Sequence, residues 1–221
     1  MNGEPFEGEF VVVIGDKAVI QSVDGKQNKI LLTQFTEEDL TFMELENPPT
    51  FKIDVSKASD QYSWPQKHKS HEAHELPPCY DYEFTVKFKQ TSAGSYDHEL
   101  LVEVIVFGEE IDGDNFILLD RMESRFIPSQ QKDLSYQFTG RKVRLYDYEY
   151  KADGRRGQKY GGYLVVVTDA RGKVIVHKSP QNWLYDIKEP LQELSLNAHF
   201  DKTGTRVFPP RPKVGWDGYN N

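Results

Sequence analysis

The sequence predicts an all-β protein made of a small barrel-like N-terminal module and an antiparallel, immunoglobulin-like β-sandwich with a short C-terminal helix. Short runs rich in Val, Ile, Phe and Tyr recur along the 221 residues, and turn pairs such as Gly15-Asp16 and Arg171-Gly172 separate them. Roughly seven such runs follow residue 80 at short spacing, as in antiparallel sandwiches. A chain of this length buries a sufficient core without disulfides, and its single cysteine, Cys79, forms no intramolecular disulfide.

Residues 1–55 are predicted to form the N-terminal module. Four short strands are expected there, at residues 9–14, 17–23, 29–33 and 50–55. Thr36 suits the N-cap of a short helix, because acidic residues fill the first turn after it and apolar residues recur at helical spacing up to Leu45. Pro48-Pro49 ends that helix. The first 47 residues carry ten Asp and Glu against three Lys, so this module is strongly acidic.

Residues 7–43 combine a hairpin, an Asp-Gly-Lys turn, a third strand and a Phe-Thr-x-x-Asp-x-x-Phe ending. The residues that carry this pattern are Phe10, Val19, Ile20, Asp24, Gly25, Lys26, Leu31, Phe35, Thr36, Asp39 and Phe42. The pattern resembles the Sla homology domain one family, which occurs in endocytic adaptors and in bacterial envelope proteins. The resemblance implies a small Src-homology-like barrel and a bacterial cell-envelope location. A eukaryotic member binds short peptides, but none of its peptide-contacting residues is matched here.

Residues 56–79 are polar and contain prolines, which predicts a linker or long surface loop, and residues 80–200 are predicted to form the sandwich. Alternation of apolar and polar residues indicates a first strand with one buried face, and the apolar set is Tyr82, Phe84, Val86 and Phe88. A more fully buried strand is expected at residues 100–107. The remaining strands are predicted at residues 116–119 and 123–127 (one bent strand or two), 135–138, 142–150, 162–168 and 173–177.

The C-terminal part of the chain is predicted to contain a short helix followed by an extended tail. Residues 180–194 have near-helical spacing of apolar residues, with a break near Pro190. The side chains expected to dock on the sheet are Trp183, Leu184, Ile187, Leu191 and Leu194. Residues 201–221 are rich in Pro, which predicts an extended or disordered tail.

The strand predicted at residues 142–150 has two different faces. Val143 and Leu145 are expected to point into the core. The opposite face carries Lys142, Arg144, Tyr146, Tyr148 and Tyr150. A row of tyrosines beside two cations suits stacking on sugars or binding of an extended acidic peptide, because each ring offers an apolar body and a hydroxyl group. The alternative is a half-buried structural face with the hydroxyl groups at its edge.

Two further groups of residues are candidates for ligands. Arg155 and Arg156 lie in a Gly-rich segment predicted as a flexible hairpin connection, where exposed guanidinium groups suit anion capture. His68, His71 and His74, with Cys79 nearby, are ligand types that zinc, nickel or copper accept. Because their spacing brings at most two of the histidines onto one helical face, and Lys and Pro indicate a loop, no native metal or cofactor is predicted.

The composition limits the classes of function. The net charge is −8, from 27 Lys and Arg against 35 Asp and Glu, which argues against nucleic acid as a partner. No apolar run reaches the length of a membrane span, and the first residues lack the charged and apolar regions of a signal peptide. The sequence contains no nucleophile elbow, zinc-protease motif, dinucleotide turn or phosphate-binding loop.

The sequence therefore predicts a non-catalytic binding or scaffolding protein that recognises a peptide or protein partner rather than a glycan. An extracytoplasmic or periplasmic location follows from the family resemblance alone, and the cytoplasm and the oligomeric state stay open. The alternatives are a carbohydrate-binding accessory module that uses the tyrosine face, and a hydrolase. A groove beside an exposed sheet edge favours a peptide, a flat aromatic platform favours a sugar, and a deep pocket with perturbed carboxyl pKa values favours an enzyme.

Overall fold

The computed structural model describes residues 7–63, 78–150 and 154–208, and strands dominate it. The strands are β1 (Gly8–Ile14), β2 (Lys17–Ser22), β3 (Gln27–Leu31), β4 (Phe51–Gln61), β5 (Cys79–Gln90), β6 (Leu100–Glu110), β7 (Phe116–Phe126), β8 (Ser135–Thr139), β9 (Val143–Tyr150), β10 (Gly154–Thr168), β11 (Val174–Lys178), β12 (His199–Phe200) and β13 (Arg206–Val207). The α-helices are α1 (Glu37–Glu46), α2 (Trp183–Asp186) and α3 (Lys188–Glu193). The predicted all-β class is confirmed. None of the helices in the described ranges is long and apolar enough to cross a bilayer.

The N-terminal module is a small antiparallel sheet of β1, β2 and β3 with α1 against it. Gly15 makes the β1–β2 turn at a φ of 63°, which glycine adopts without strain. At the start of α1 the Thr36 hydroxyl accepts the N–H of Asp39, and the Asp39 carboxylate accepts the N–H of Thr36. Within the described residues β1 and β3 both remain edges, so the three strands form an open sheet and not the barrel that the family resemblance implies.

β4 belongs to the sandwich and not to the N-terminal module. It pairs with β5 along its whole length, from Phe51 opposite Gln90 to Gln61 opposite Tyr80. The predicted loop over residues 56–79 is therefore wrong for residues 56–61, and also for Cys79, which is buried at the start of β5. The sequence conceals this strand because every residue of β4 after Val55 is exposed, so apolar alternation stops there. Residues 64–77 lie outside the described residues.

The sandwich is one antiparallel sheet folded into two layers. One layer contains β4, β5, β8 and β9, and the other contains β6, β7 and most of β10 with β11, β12 and β13. β10 joins the layers, since residues 154–157 pair with β9 and residues 158–168 pair with β6. The change of partner falls at Gly157, whose φ of 130° is open to glycine and strained for other residues.

The main core lies between the two layers. Phe84, Val86 and Phe88 of β5 point into it, and so do Val143 and Leu145 of β9. The inward faces predicted from alternation are therefore confirmed. Burial of each large apolar side chain stabilises the fold by about 1.5–3 kcal/mol, so this core supplies much of the stability of the sandwich.

A second core covers the outer face of β6, β7 and β10. Leu184, Ile187 and Leu191 from the C-terminal helices pack there against residues that include Phe107. The docked helix is confirmed, but it breaks at Ile187 and not near Pro190. Pro190 lies in the first turn of α3, where a backbone N–H would have no partner within the helix.

Residues 201–208 are not part of an extended or disordered tail. β12 and β13 form a small hairpin that extends the sheet beyond β7. The Asp201 carboxylate accepts the N–H groups of Thr203 and Thr205 in the turn, and Phe200 is buried in the second core. This burial fixes a segment whose sequence has little strand character. Residues 209–221 lie outside the described residues.

The C-terminal end of α1 contacts the turn between β10 and β11. Arg171 donates to the Glu46 carboxylate and the Leu45 carbonyl, and the Lys173 ammonium lies 3.0 Å from Glu46. The same guanidinium donates to the buried Asp169 carboxylate. Cations are favoured near the carbonyl end of a helix, so the acidic module is tied to a basic turn of the sandwich.

Candidate functional site

Arg144, predicted on the binding face of β9, is engaged within the protein. Its Nε and Nη2 atoms donate to the two carboxylate oxygens of Asp81 at 2.8 and 3.1 Å. Its guanidinium also lies 3.3 Å from the centre of the Tyr62 ring. The hydrogen bond from Arg144 lowers the pKa of the Asp81 carboxyl below its usual value. Since Asp81 stands directly opposite Arg144 on β5, the pair is a cross-strand contact that supports the sheet.

The rest of the predicted β9 face is described in part. Lys142 is exposed and Tyr146 is half-buried. The backbones of Tyr148 and Tyr150 pair with β10, but their side chains lie outside the described part of the structure. The predicted core positions on the other face of this strand are buried, so the orientation of β9 is as expected.

The other candidates have different outcomes. Arg155 and Arg156 are in β10, paired with β9, and not in the flexible connection that their glycines suggested. Their side chains lie outside the described part. His68, His71 and His74 also lie outside the described residues. Among the residues that are described, no group of three metal-ligating side chains is found.

A groove opens at the end of the sandwich where β10 passes from one layer to the other. Its volume is about 270 Å³, and it lies between β4, the first part of β5 and residues 158–160 of β10. The lining residues are Lys57, Tyr80, Tyr82, Ile111, Leu145, Tyr146, Asp147, Gln158, Lys159 and Tyr160. Tyr146 is thus the one residue of the predicted tyrosine row that the described structure places at a concave surface.

The groove continues the inward face of β5. Along this face the side chains change from the buried Phe84 to the half-buried Tyr82 and to Tyr80, which is 40% exposed. Phe84 stacks on two of the tyrosines that line the groove, with ring centres 6.4 Å apart for Tyr82 and 5.4 Å apart for Tyr160. The aromatic walls of the groove therefore rest on the main core.

Lys57 reaches into the groove from β4. It follows the buried Ile53 and the half-buried Val55 on the inward face of that strand. Its ammonium nitrogen lies 4.7 Å from the centre of the Tyr160 ring and 5.5 Å from that of Tyr82, and cation–π contacts of this kind contribute about 0.5–1 kcal/mol. Within the described residues, no carboxylate pairs with it. The groove thus contains a positive charge that aromatic rings support and that, in the part of the chain that the structure describes, forms no ion pair with a carboxylate.

Lys159 and Tyr160 also bring polar groups to the groove. The Lys159 ammonium lies 3.2 Å from the Glu109 carboxylate. Burial raises the pKa of Tyr160 to about 12, with a smaller contribution from Tyr163. The Tyr160 hydroxyl therefore stays protonated at physiological pH and is able to donate a hydrogen bond to a ligand.

Glu110 and His199 form a contact beside the turn after β6. The His199 imidazole is 3.3 Å from the Glu110 carboxylate, and burial lowers the pKa of this histidine. Asn115 donates to the second oxygen of Glu110. Both oxygens of Glu110 thus have partners within the protein, which indicates a structural role for this carboxylate.

No sequence pattern brings Lys57, Tyr80 and Tyr160 together. They come from three different strands, and the sequence pattern predicts a loop at Lys57. The one available signal was the alternation of β5, which extends from Phe84 through Tyr82 to Tyr80.

Comparisons with known proteins do not identify a family. No protein-family model matches the chain, and no curated protein is significantly similar to it. A crystallised target of the Northeast Structural Genomics Consortium aligns with 58% of this chain and 84% of its own, at 11% identity and a TM-score of 0.24. A protein from Akkermansia muciniphila aligns with 61% of this chain and 73% of its own, at 15% identity and a TM-score of 0.25. These similarities carry no functional argument, and the resemblance of residues 7–43 to the Sla homology domain one family stays a prediction.

Proposed function

We propose that this protein is a non-catalytic binding protein that holds a peptide segment of a partner protein in the groove between Lys57, Tyr82 and Tyr160. The observation that carries the proposal is the position of the groove beside β4, the last strand of the sheet. Peptides bind at such places with their side chains against the groove and their backbone beside the open strand edge.

The composition of the groove supports this function. Tyrosine rings supply a large amphipathic contact area and lose little conformational entropy on binding. Here two of the rings are already stacked on Phe84, so the site is formed before a ligand arrives. A volume of about 270 Å³ suits one or two side chains of a peptide, since typical small-molecule pockets begin at roughly 300 Å³.

The electrostatics of the described carboxyl groups support binding over catalysis. Five carboxyl groups have shifted pKa values, and each is shifted downward, with hydrogen bonds among the causes: Asp24, Glu46, Asp81, Asp169 and Asp201. A carboxyl group whose ionised form is favoured is a poor general acid near neutral pH. These groups therefore serve structural contacts.

A carbohydrate is the second candidate ligand. The observation that favours it is the exposed Tyr80 ring, which lines the same groove as Tyr82 and Tyr160 and offers a surface for stacking on a sugar. Residence in a bacterial cell envelope belongs to the proposal as well, and the resemblance of the N-terminal module supports it.

A peptide library tests the proposed function. Random dodecapeptides displayed on phage are selected against the wild-type protein, and the affinities of enriched peptides are measured by fluorescence anisotropy. We expect Tyr80→Ala to weaken binding about tenfold, as loss of an aromatic contact does. Phe42→Ala is the matched control, because Phe42 is 53% exposed on α1, outside the groove.

Two results contradict the proposal. One is a selection that enriches no peptide, and the other is a set of peptides that bind the Tyr80→Ala variant as tightly as the wild type. A glycan array probed with the same proteins tests the second candidate, a carbohydrate ligand. If glycans bind the wild type but not Tyr80→Ala, and no peptide is enriched, the ligand is a sugar and not a peptide.

A further inference from the structure

The backbone of β4 has one side paired and one side open. At its ends, the Thr50 carbonyl accepts the N–H of Thr91, and the N–H of Tyr62 donates to the Cys79 carbonyl. Because the direction of N–H and C=O groups alternates along an antiparallel strand, the even-numbered residues of β4 face β5. The odd-numbered residues direct their backbone groups to the other side, where no strand lies within the described part of the chain.

A contact at Ile53 agrees with this assignment. Its carbonyl accepts a hydrogen bond from the Lys178 ammonium at the end of β11, so it faces away from β5. Beyond this contact the open edge continues to the end of the strand. The backbone groups without a hydrogen-bond partner in the described residues belong to Val55, Lys57, Ser59 and Gln61.

The open edge and the groove meet at Lys57. The backbone of this residue faces the open edge, and its side chain points between the layers toward Tyr160. On a strand added to β4, the residue directly opposite Lys57 would point to the same face of the sheet, with Cβ atoms roughly 5.5 Å apart. Its side chain would therefore enter the groove beside the Lys57 ammonium.

We propose that the partner binds by strand addition: an extended segment pairs with β4 over Val55–Gln61 and places an Asp or Glu side chain opposite Lys57. This inference rests on the proposed function and names the chemistry of its partner. Backbone hydrogen bonds supply affinity without regard to sequence, whereas the Lys57 ammonium, which has no ion pair within the described residues, selects an acidic residue at one position.

The same lysine disfavours pairing between two copies of this chain. An inward-pointing charge on an edge strand is a known protection against self-association. In a symmetric pair of β4 strands centred near Lys57, the two ammonium groups would be brought together and would repel each other. A partner with a carboxylate at that position avoids this repulsion, so Lys57 excludes a second copy and favours an acidic segment.

A charge exchange tests the acidic position. In the peptides enriched by the selection above, we expect Asp or Glu at one fixed position, and Lys57→Gln should weaken their binding about tenfold. The Lys57→Glu variant should not bind the acidic peptide. It should bind the same peptide once the acidic residue is replaced by Lys. Lys52→Gln is the matched control, because Lys52 is on the opposite face of β4 and pairs with Asp54 at 3.4 Å.

Residue-resolved hydrogen exchange tests the strand addition. In the peptide complex, the amides of Lys57 and Ser59 should gain protection, while those of Ser56 and Ala58, which already face β5, should change little. Protection without this alternation contradicts an added strand.

The outcomes separate the two proposals. Peptides that depend on Tyr80 but not on Lys57 overturn the acidic-strand inference and leave the proposed function standing. A selection without any enriched peptide overturns both. If Lys57→Gln forms dimers while its peptide affinity is unchanged, the lysine only protects the edge, and the inference is wrong.

Discussion

The rings of Phe84 and Tyr160 stack with their centres 5.4 Å apart, although one belongs to β5 and the other to β10. Each strand is in a different layer of the sandwich at this point. Since Phe84 is fully buried, the contact holds the groove wall at a fixed distance from the main core. The position of Tyr160 therefore depends on packing, and its removal should affect both stability and binding.

Truncation of Tyr160 tests this dependence. We expect Tyr160→Ala to lower the free energy of unfolding by about 2–4 kcal/mol, somewhat less than a fully buried aromatic residue, because Tyr160 is half-buried. Tyr160→Phe keeps the ring and should cost less than about 1 kcal/mol. Urea denaturation measures both values. Equal losses for the two variants would show that the hydroxyl, and not the stacked ring, supports the wall.

The hydroxyl group of Tyr96 is expected to destabilise the fold, so its removal should increase stability. Its hydroxyl is buried and has no hydrogen-bond partner within the described residues. Because a buried polar group without a partner costs about 1–3 kcal/mol, Tyr96→Phe should raise the free energy of unfolding at pH 7 by about 1 kcal/mol. A loss of stability in this variant would mean that the hydroxyl has a bound partner, such as an ordered water.

The same residue should limit stability at alkaline pH. Burial raises the pKa of Tyr96 to about 12, whereas an unfolded tyrosine ionises near pH 10. Above about pH 10 the unfolded state therefore loses a proton that the folded state keeps, and stability falls as the pH rises toward 12. Denaturation between pH 8 and pH 12 should show a smaller decline for Tyr96→Phe than for the wild type. An identical decline would contradict this role.

Arg171 should contribute more to stability than its partner on α1. Burial alone would raise the pKa of Asp169, but hydrogen bonds from Arg171 and from the backbone outweigh it and lower the pKa. Arg171→Met removes the cation beside this buried carboxylate and leaves it only its backbone N–H donors, so the variant should clearly lower the free energy of unfolding. Glu46→Gln disturbs a more exposed contact and should lower it less. Chemical denaturation ranks the two variants, and the reverse order would contradict the structure.

Gly157 is expected to tolerate no side chain. A Cβ atom there would lie 2.1 Å from the Tyr146 carbonyl oxygen, at the point where β10 changes partner. Gly157→Ala should therefore cost about 3 kcal/mol or more, because a steric clash adds to the strain of a positive φ. Gly172→Ala is the control, since Gly172 also has a positive φ but open space around it, and should cost about 1 kcal/mol. Thermal unfolding compares the two.

A variant of Arg144 tests whether ligands bind in the groove or on the outer face of β9. Its pair with Asp81 is partly exposed, so Arg144→Ala should cost at most about 1 kcal/mol of stability. If ligands bind in the groove, this variant should leave the affinity for selected peptides unchanged. A marked loss of affinity would indicate that ligands bind on the outer face of β9, as the sequence predicts.

The parts of the fold that the sequence predicts are those with strong local signals. β5 alternates between apolar and polar residues, and the β1–β2 hairpin has a Gly-Asp turn, so both follow from their own residues. The second half of β4 has no such pattern, because it forms an exposed edge and is held by pairing with β5. Its assignment needs a partner strand that begins at Cys79, across a segment of polar residues.

The candidate site was less predictable for a related reason. The groove lies beside the change of partner at Gly157 in β10, and strands from both layers contribute to it. Lys57 and Tyr160 are about a hundred positions apart in the chain, and neither belongs to a motif. The alternation along β9 instead favours Arg144 as a binding residue, because it shows which face Arg144 occupies but not that Asp81 already neutralises it.

Strand β10 runs through both layers, so the layers cannot separate along it unless the chain itself bends. Further polar contacts join the layers elsewhere. Lys178 of β11 donates to the Ile53 carbonyl of β4, and Arg141 donates to the buried Asp120 carboxylate of β7. From Val55 onward, the backbone of β4 is hydrogen-bonded only on its β5 side within the described residues. This end of β4 should therefore fray more readily than the end at Ile53, so the segment offered to an incoming strand is also the more mechanically compliant part of the strand.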